Sequence, residues 1–142
     1  LLFTYQTMAI TFEVIGPCNE TPENEIEIEV LNFDLSVMEI TNHILEVNKI
    51  PYVGAGNGIK SINNSPMGLD AMEVISDSKM RAHGWCYLVN GKLPDVLSSE
   101  LSLESQDDHI TWLYGYSYYD AGNWIGYCDP TWKIAPKQFC NK

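Results

Sequence analysis

The chain has 142 residues, 45% hydrophobic and 19% charged, with a formal net charge of -11 at pH 7. That size and composition suit one folded domain with its own core and exclude wholesale disorder. Eight scattered Lys and Arg against 19 Asp and Glu exclude partners that are tracked through phosphates, namely nucleic acid and anionic membrane surfaces.

No apolar run approaches the roughly 18 residues that span a bilayer. The sequence opens on Leu1-Leu2-Phe3 without Met, which reads as a mature or trimmed chain from which any signal peptide is already gone. Cys18, Cys86, Cys128 and Cys140 are even in number, widely spaced and free of any CxxC. That pattern favours disulfides in an oxidising compartment: secreted, periplasmic or at the cell surface. Three pairings are open. The short loop favours Cys128–Cys140, pinning the tail, with Cys18–Cys86 as the second. Four buried free thiols are the bland alternative. Asn19-Glu20-Thr21 and Asn63-Asn64-Ser65 are sequons, relevant where the source glycosylates secreted chains.

In chain order, residues 7–15 alternate, with Met8, Ile10, Phe12 and Val14 on one face. Gly16-Pro17 ends this strand. Residues 25–30 alternate again, with Ile26, Ile28 and Val30 inward, so the two runs form an antiparallel pair. Ser36 with Glu39 three residues later has capping-box spacing. Val37, Ile40, Ile44, Leu45 and Val47 then predict an amphipathic helix to about Asn48, stopped by Pro51. His43 lies within it and reads as a surface or packed residue. In "YVGAGNGIKSINN" the glycines lack the dinucleotide spacing and Lys60 is no Walker lysine, so this is a loop feeding a strand over 58–62.

Residues 63–80 read as a polar connection. "HGWCYLVNGKLPD" follows, with Trp85, Tyr87 and Val89 alternating into an Asn90-Gly91 hairpin turn and a return strand cut short by Pro94. Residues 98–108 are polar, with Leu101 and Leu103 as anchors and a turn at Asp107-Asp108. The aromatic run "HITWLYGYSYYDAGNW" begins as the last strand, with Ile110, Trp112, Tyr114, Tyr116 and Tyr118 on one face. No repeat, low-complexity tract or linker is visible. The elements predict an α+β domain, one mixed sheet covered by one helix.

The order of Ser61-Ile62-Asn63, then Trp85-Cys86-Tyr87-Leu88-Val89-Asn90-Gly91, then Asp107-Asp108-His109-Ile110 resembles the transcobalamin C-terminal-like family. The resemblance covers about residues 7–118, taken as the domain; residues 119–142 lie outside it, as a C-terminal extension packed on the same domain. It implies a β-grasp-like fold of the stand-alone bacterial type. In the carriers that contain it, the module closes over cobalamin against a helical barrel, which this chain lacks, so a corrinoid is only weakly implied as ligand. The positions matching the ligand side are Trp85, Tyr87, Asn90 and the loop 97–104. Stand-alone relatives imply adhesion or binding of an unidentified ligand.

Chemistry is weighed against bland readings. Cys86 with His83 and His109 could supply a thiol nucleophile and base, but a mid-strand cysteine among four reads as a disulfide. No nucleophile elbow or HExxH occurs. His83-x-x-Cys86 is half a zinc motif, and Glu104, Asp107 and Asp108 lack an EF-hand pattern. Past Gly115, the rings of Tyr116, Tyr118, Tyr119, Trp124 and Trp132 either form a mini-core under a tail that folds back over the open sheet face, or present a platform for a sugar, corrinoid or peptide. The expectation is a non-catalytic, monomeric binding module for a small molecule or glycan, without a cofactor or a metal. Its candidate site is Trp85, Tyr87, Asn90, Tyr116, Tyr118 and Trp124. The alternative is a protein–protein or adhesion module using a sheet edge or the aromatic surface.

Overall fold

The computed structural model describes residues 8–30, 34–56, 58–103 and 108–140. Two alternating runs make the first hairpin: β1 (Met8–Ile15) pairs antiparallel with β2 (Asn24–Val30), from Met8↔Val30 to Val14↔Asn24. Helix α1 (Val37–Val47) follows. Its Ser36 Oγ accepts from Glu39 N at 3.1 Å, and Glu39 Oε1 accepts from Ser36 N at 3.2 Å. The capping box is complete, so Ser36→Ala should lower the unfolding free energy by about 1 kcal/mol in urea denaturation.

A small sheet of β3 (Tyr52–Ala55) and β4 (Gly58–Ile62) comes next. The glycine string is its tip. A Cβ on Gly54 would lie 2.4 Å from Gly58 O, so the strands approach there as only glycine allows. The main sheet adds β5 (Met72–Ser76), β6 (Lys79–Val89), β7 (His109–Asp120) and β8 (Asn123–Pro130). Its order is β2-β1-β7-β6-β5, with β8 also on β7. The two central strands, β1 and β7, run parallel. This is a mixed sheet packed by one main helix, as the sequence predicts. A short helix, α2 (Lys137–Cys140), ends the described chain.

The core lies between α1 and one sheet face. Val37, Met38, Ile40, Ile44 and Leu45 of α1 pack with Ile10, Phe12, Val14, Ile110 and Trp112. Each such fully buried side chain contributes about 1.5–3 kcal/mol. Trp112 Nε1 donates to the buried Thr41 Oγ1 of α1 at 2.9 Å, which fixes the helix over β7.

Three parts differ from the sequence reading. First, the connection 63–80 holds β5 and the start of β6. Met72–Ser76 pairs as an edge strand, so its outward positions need no apolar pattern, and Val74 is 78% exposed. Second, the Asn90-Gly91 turn forms, with φ of 54° and 78°, but the return strand shrinks to a single bridge, Val89↔Lys92, just short of Pro94. Third, the disulfides are Cys18–Cys140 and Cys86–Cys128. The tail does not close a short loop on itself. Its strand β8 pairs with the edge of β7 beyond the end of β1, and a bulge on β8 between the Tyr116↔Asp129 and Tyr118↔Ile125 pairs frees residues 126–128. Cys128 then crosses Gly115, whose missing Cβ would stand 3.0 Å from the Cys128 Cα, and so reaches Cys86. The remaining chain returns to the exit of β1, where Cys140 meets Cys18. Asp107, Glu104 and the end of the 97–104 loop lie outside the described residues.

Candidate functional site

A groove of about 590 Å³ lies between three segments. The β3–β4 sheet forms one wall with Val53, Ile59 and Lys60. Residues 93–99 form the other with Leu93, Val96 and Leu97. Trp85 and Tyr87 of β6, with Trp112 of β7 behind them, supply the rings. Lys60 is the one charged side chain among the described lining residues.

Both β6 rings are held by their polar ends. Trp85 Nε1 donates to Ser65 Oγ at 2.8 Å, and its ring meets Tyr114 edge-on at 5.2 Å. The Tyr87 hydroxyl donates to Val96 O, which ties the 93–99 wall to the sheet. Burial, and then the negative charge of Glu100, pushes that hydroxyl above its ordinary pKa, so it stays a donor. Each ring therefore lines the groove with its polar end already satisfied.

The other sequence candidates lie elsewhere. Asn90 Nδ2 donates to Asp108 Oδ1 at 2.8 Å, and Asn90 Oδ1 accepts from His109 N at 2.9 Å, so Asn90 locks the turn onto the start of β7. Tyr116 lies under Arg81, 5.8 Å from its ring centre, and beside His83. Tyr118 faces Arg81 across β6 and Ile125 across β8. Trp124 leans on Tyr119 at 5.2 Å and is 55% exposed. These rings after Gly115 thus belong to a β7–β8 hairpin turning at Ala121-Gly122, of which Tyr127 is the β8 residue among the described groove-lining residues. Sequence reasoning missed Val53, Ile59, Lys60 and Leu93 as wall residues. Their only signal is apolar residues in glycine- and proline-bearing loops.

The thiol–imidazole set does not assemble. Cys86 is bonded to Cys128. His109 Nε2 sits 3.1 Å from Glu13 Oε1, in a geometry bent away from a hydrogen bond. The His83 side chain is wholly buried: Nε2 is 2.7 Å from Glu73 Oε1, and Nδ1 is 2.8 Å from Thr131 Oγ1. An ionised Glu73 only accepts, so Nε2 carries the proton and Nδ1 accepts from the Thr131 hydroxyl. Among the described residues, no three His, Cys, Asp or Glu side chains are grouped to hold a metal.

Burial lowers the His83 pKa below 6.5, against the opposing pull of Glu73. The unfolded chain then binds the extra proton first. His83's contribution to stability is full above pH 6.5 and is lost as pH falls through its lowered folded pKa. Unfolding free energies at pH 5 and pH 7.5 should differ more in the wild type than in His83→Gln.

The sequence profile of a family described as "Domain of unknown function (DUF4430)" matches residues 34–115, more than half of the chain. The chain belongs to this family. The DUF4430 segment runs from the approach to α1 to Gly115 of β7 and supplies every groove residue except Tyr127. The fold is also similar to a crystal structure from Ruminococcus gnavus ATCC 29149, provisionally described as a metal binding protein. The identity is 16% and the TM-score 0.41, over 76% of this chain and 98% of that one. No curated protein matches the chain.

Proposed function

We propose that this DUF4430 chain is a non-catalytic binding module of an oxidising, extracytoplasmic compartment, and that the groove is its ligand site. Two disulfides support the compartment. No described helix is long and apolar enough to cross a membrane. The observation that carries the site is the pair of tethered rings, Trp85 and Tyr87, which line a hollow of about 590 Å³. That volume lies in the range of about 300–1,000 Å³ typical of small-molecule sites. Rings fixed before binding lose little freedom when a ligand stacks on them.

A compact ligand with a flat apolar face fits such a floor. On the transcobalamin-like reading this is a corrinoid; a sugar ring is the other compact class. The test is intrinsic tryptophan fluorescence during titration of the oxidised protein with cobinamide and, separately, with a panel of oligosaccharides. Saturable quenching that weakens at least tenfold in Trp85→Ala is the expected result, since buried aromatic anchors are worth about 2 kcal/mol or more. No saturable response to any compound of either class would retire the compact-ligand reading.

A further inference from the structure

β6 outruns its neighbour on one side. β5 pairs with it only from Lys79 to Ala82. On the other side, β7 pairs with it without a break from Lys79 to Val89. Beyond His83, the side of β6 turned away from β7 has no strand partner among the described residues until the Val89↔Lys92 bridge.

The direction of the backbone groups on that side follows from one pair of bonds. Val89 N donates to Lys92 O at 2.9 Å, and Lys92 N donates to Val89 O at 3.1 Å. Both polar groups of Val89 therefore point away from β7. In an antiparallel strand the two groups of a residue point the same way, and the direction alternates along the chain. With the register unbroken, Tyr87 and Trp85 also turn N–H and C=O away from β7. These are the residues whose rings line the groove. The groove thus combines two rings with a strand edge that has no strand partner among the described residues.

We infer that the groove receives an extended apolar peptide segment of a partner protein, added as a strand to the edge of β6 at Trp85 and Tyr87. This rests on the groove being the binding site and names a partner class for it. The strand edge sets the form of the occupant: an extended segment of about six residues, roughly 20 Å, can satisfy these alternate backbone groups, with the β3–β4 sheet and residues 93–99 as the neighbouring groove walls. Alternate side chains of an added strand would meet the apolar rim, where Val53 is 44%, Leu93 40%, Val96 42% and Leu97 61% exposed. Among the described lining residues Lys60 is the one charged side chain, and the chain as a whole carries -11, so an apolar segment avoids the long-range repulsion an acidic one would face.

The test uses the full oxidised chain. Octapeptides are selected on it from a random displayed library, and the best is remade with each backbone nitrogen methylated in turn. Methylation at every second residue should weaken binding at least tenfold, while the residues between tolerate it. Amide exchange at Trp85 and Tyr87 should slow on binding, with Cys86 and Leu88, already bonded to β7, unchanged. Three results overturn the inference: no peptide is enriched; the selected peptide shows no period-two sensitivity; or Trp85 and Tyr87 gain no protection. If ring compounds still bind through Trp85 in any of these cases, strand addition falls and the groove remains a small-ligand site. If neither class binds, both readings fall.

Discussion

Replacing Cys18 and Cys140 together by alanine should lower the unfolding free energy by up to about 5 kcal/mol at 25 °C. The bond closes a loop of 122 residues, almost the whole chain, and chain entropy rewards long loops most. It also holds α2 against the exit of β1. Without it, the Phe139 ring has no covalent hold on its place against His83 and Tyr114. The Cys86–Cys128 loop of 42 residues should be worth about 4 kcal/mol by the same reasoning. Urea denaturation without reductant measures both. The denatured-state expansion should also raise the denaturant slope in the variants. A Cys18/Cys140 variant less destabilised than the Cys86/Cys128 one would contradict the loop-length ordering.

Tyr114→Ala should cost about 3–5 kcal/mol, in the range of large-to-small aromatic truncations. Tyr114 is wholly buried at the centre of β7. Its ring meets Trp85 at 5.2 Å on one side and His83 and Phe139 at 6.0 Å on the other. Its hydroxyl donates to Pro66 O at 2.8 Å. Burial raises the pKa of that hydroxyl, so it remains a donor throughout the physiological range. Tyr114→Phe keeps the ring and strands the Pro66 carbonyl, at about 1–3 kcal/mol. The Ala variant should also blunt quenching by any groove ligand, because Trp85 loses the ring against which it stands. Denaturation and fluorescence on the same samples separate the two effects.

Much of the fold is legible in the sequence where one local rule acts alone. Alternation gives β1 and β2. The Ser36–Glu39 spacing gives the start of α1, and Asn90-Gly91 gives a turn with two positive φ angles. What is not legible depends on distant partners. β5 is an edge strand with little apolar patterning. β8 contains a bulge with Gly126 at φ 73° and Cys128 at φ 55°, so no period-two pattern survives. The disulfide pairing depends on Gly115, an unremarkable strand glycine until Cys128 crosses it.

The groove divides in the same way. Trp85 and Tyr87 stand out as alternating aromatics before a strong turn. The walls do not, because residues 53–60 and 93–99 meet only after the sheet has formed. Conversely, the density of rings after Gly115 puts Tyr116, Tyr118 and Trp124 among the sequence candidates, and the structure sets Tyr116 beside His83 and Arg81, Tyr118 opposite Arg81 and Ile125, and Trp124 against Tyr119.

The central claim is that ligand is held at the groove and not on the β7–β8 aromatic hairpin. Amide chemical-shift mapping with cobinamide, indole, benzoate and methyl glucoside on isotope-labelled protein addresses it most directly. The account predicts shifts concentrated at Val53, Lys60, Trp85, Tyr87 and Leu97, with Tyr119 and Trp124 unmoved. Shifts concentrated at Tyr119 and Trp124, with the groove silent, would contradict it.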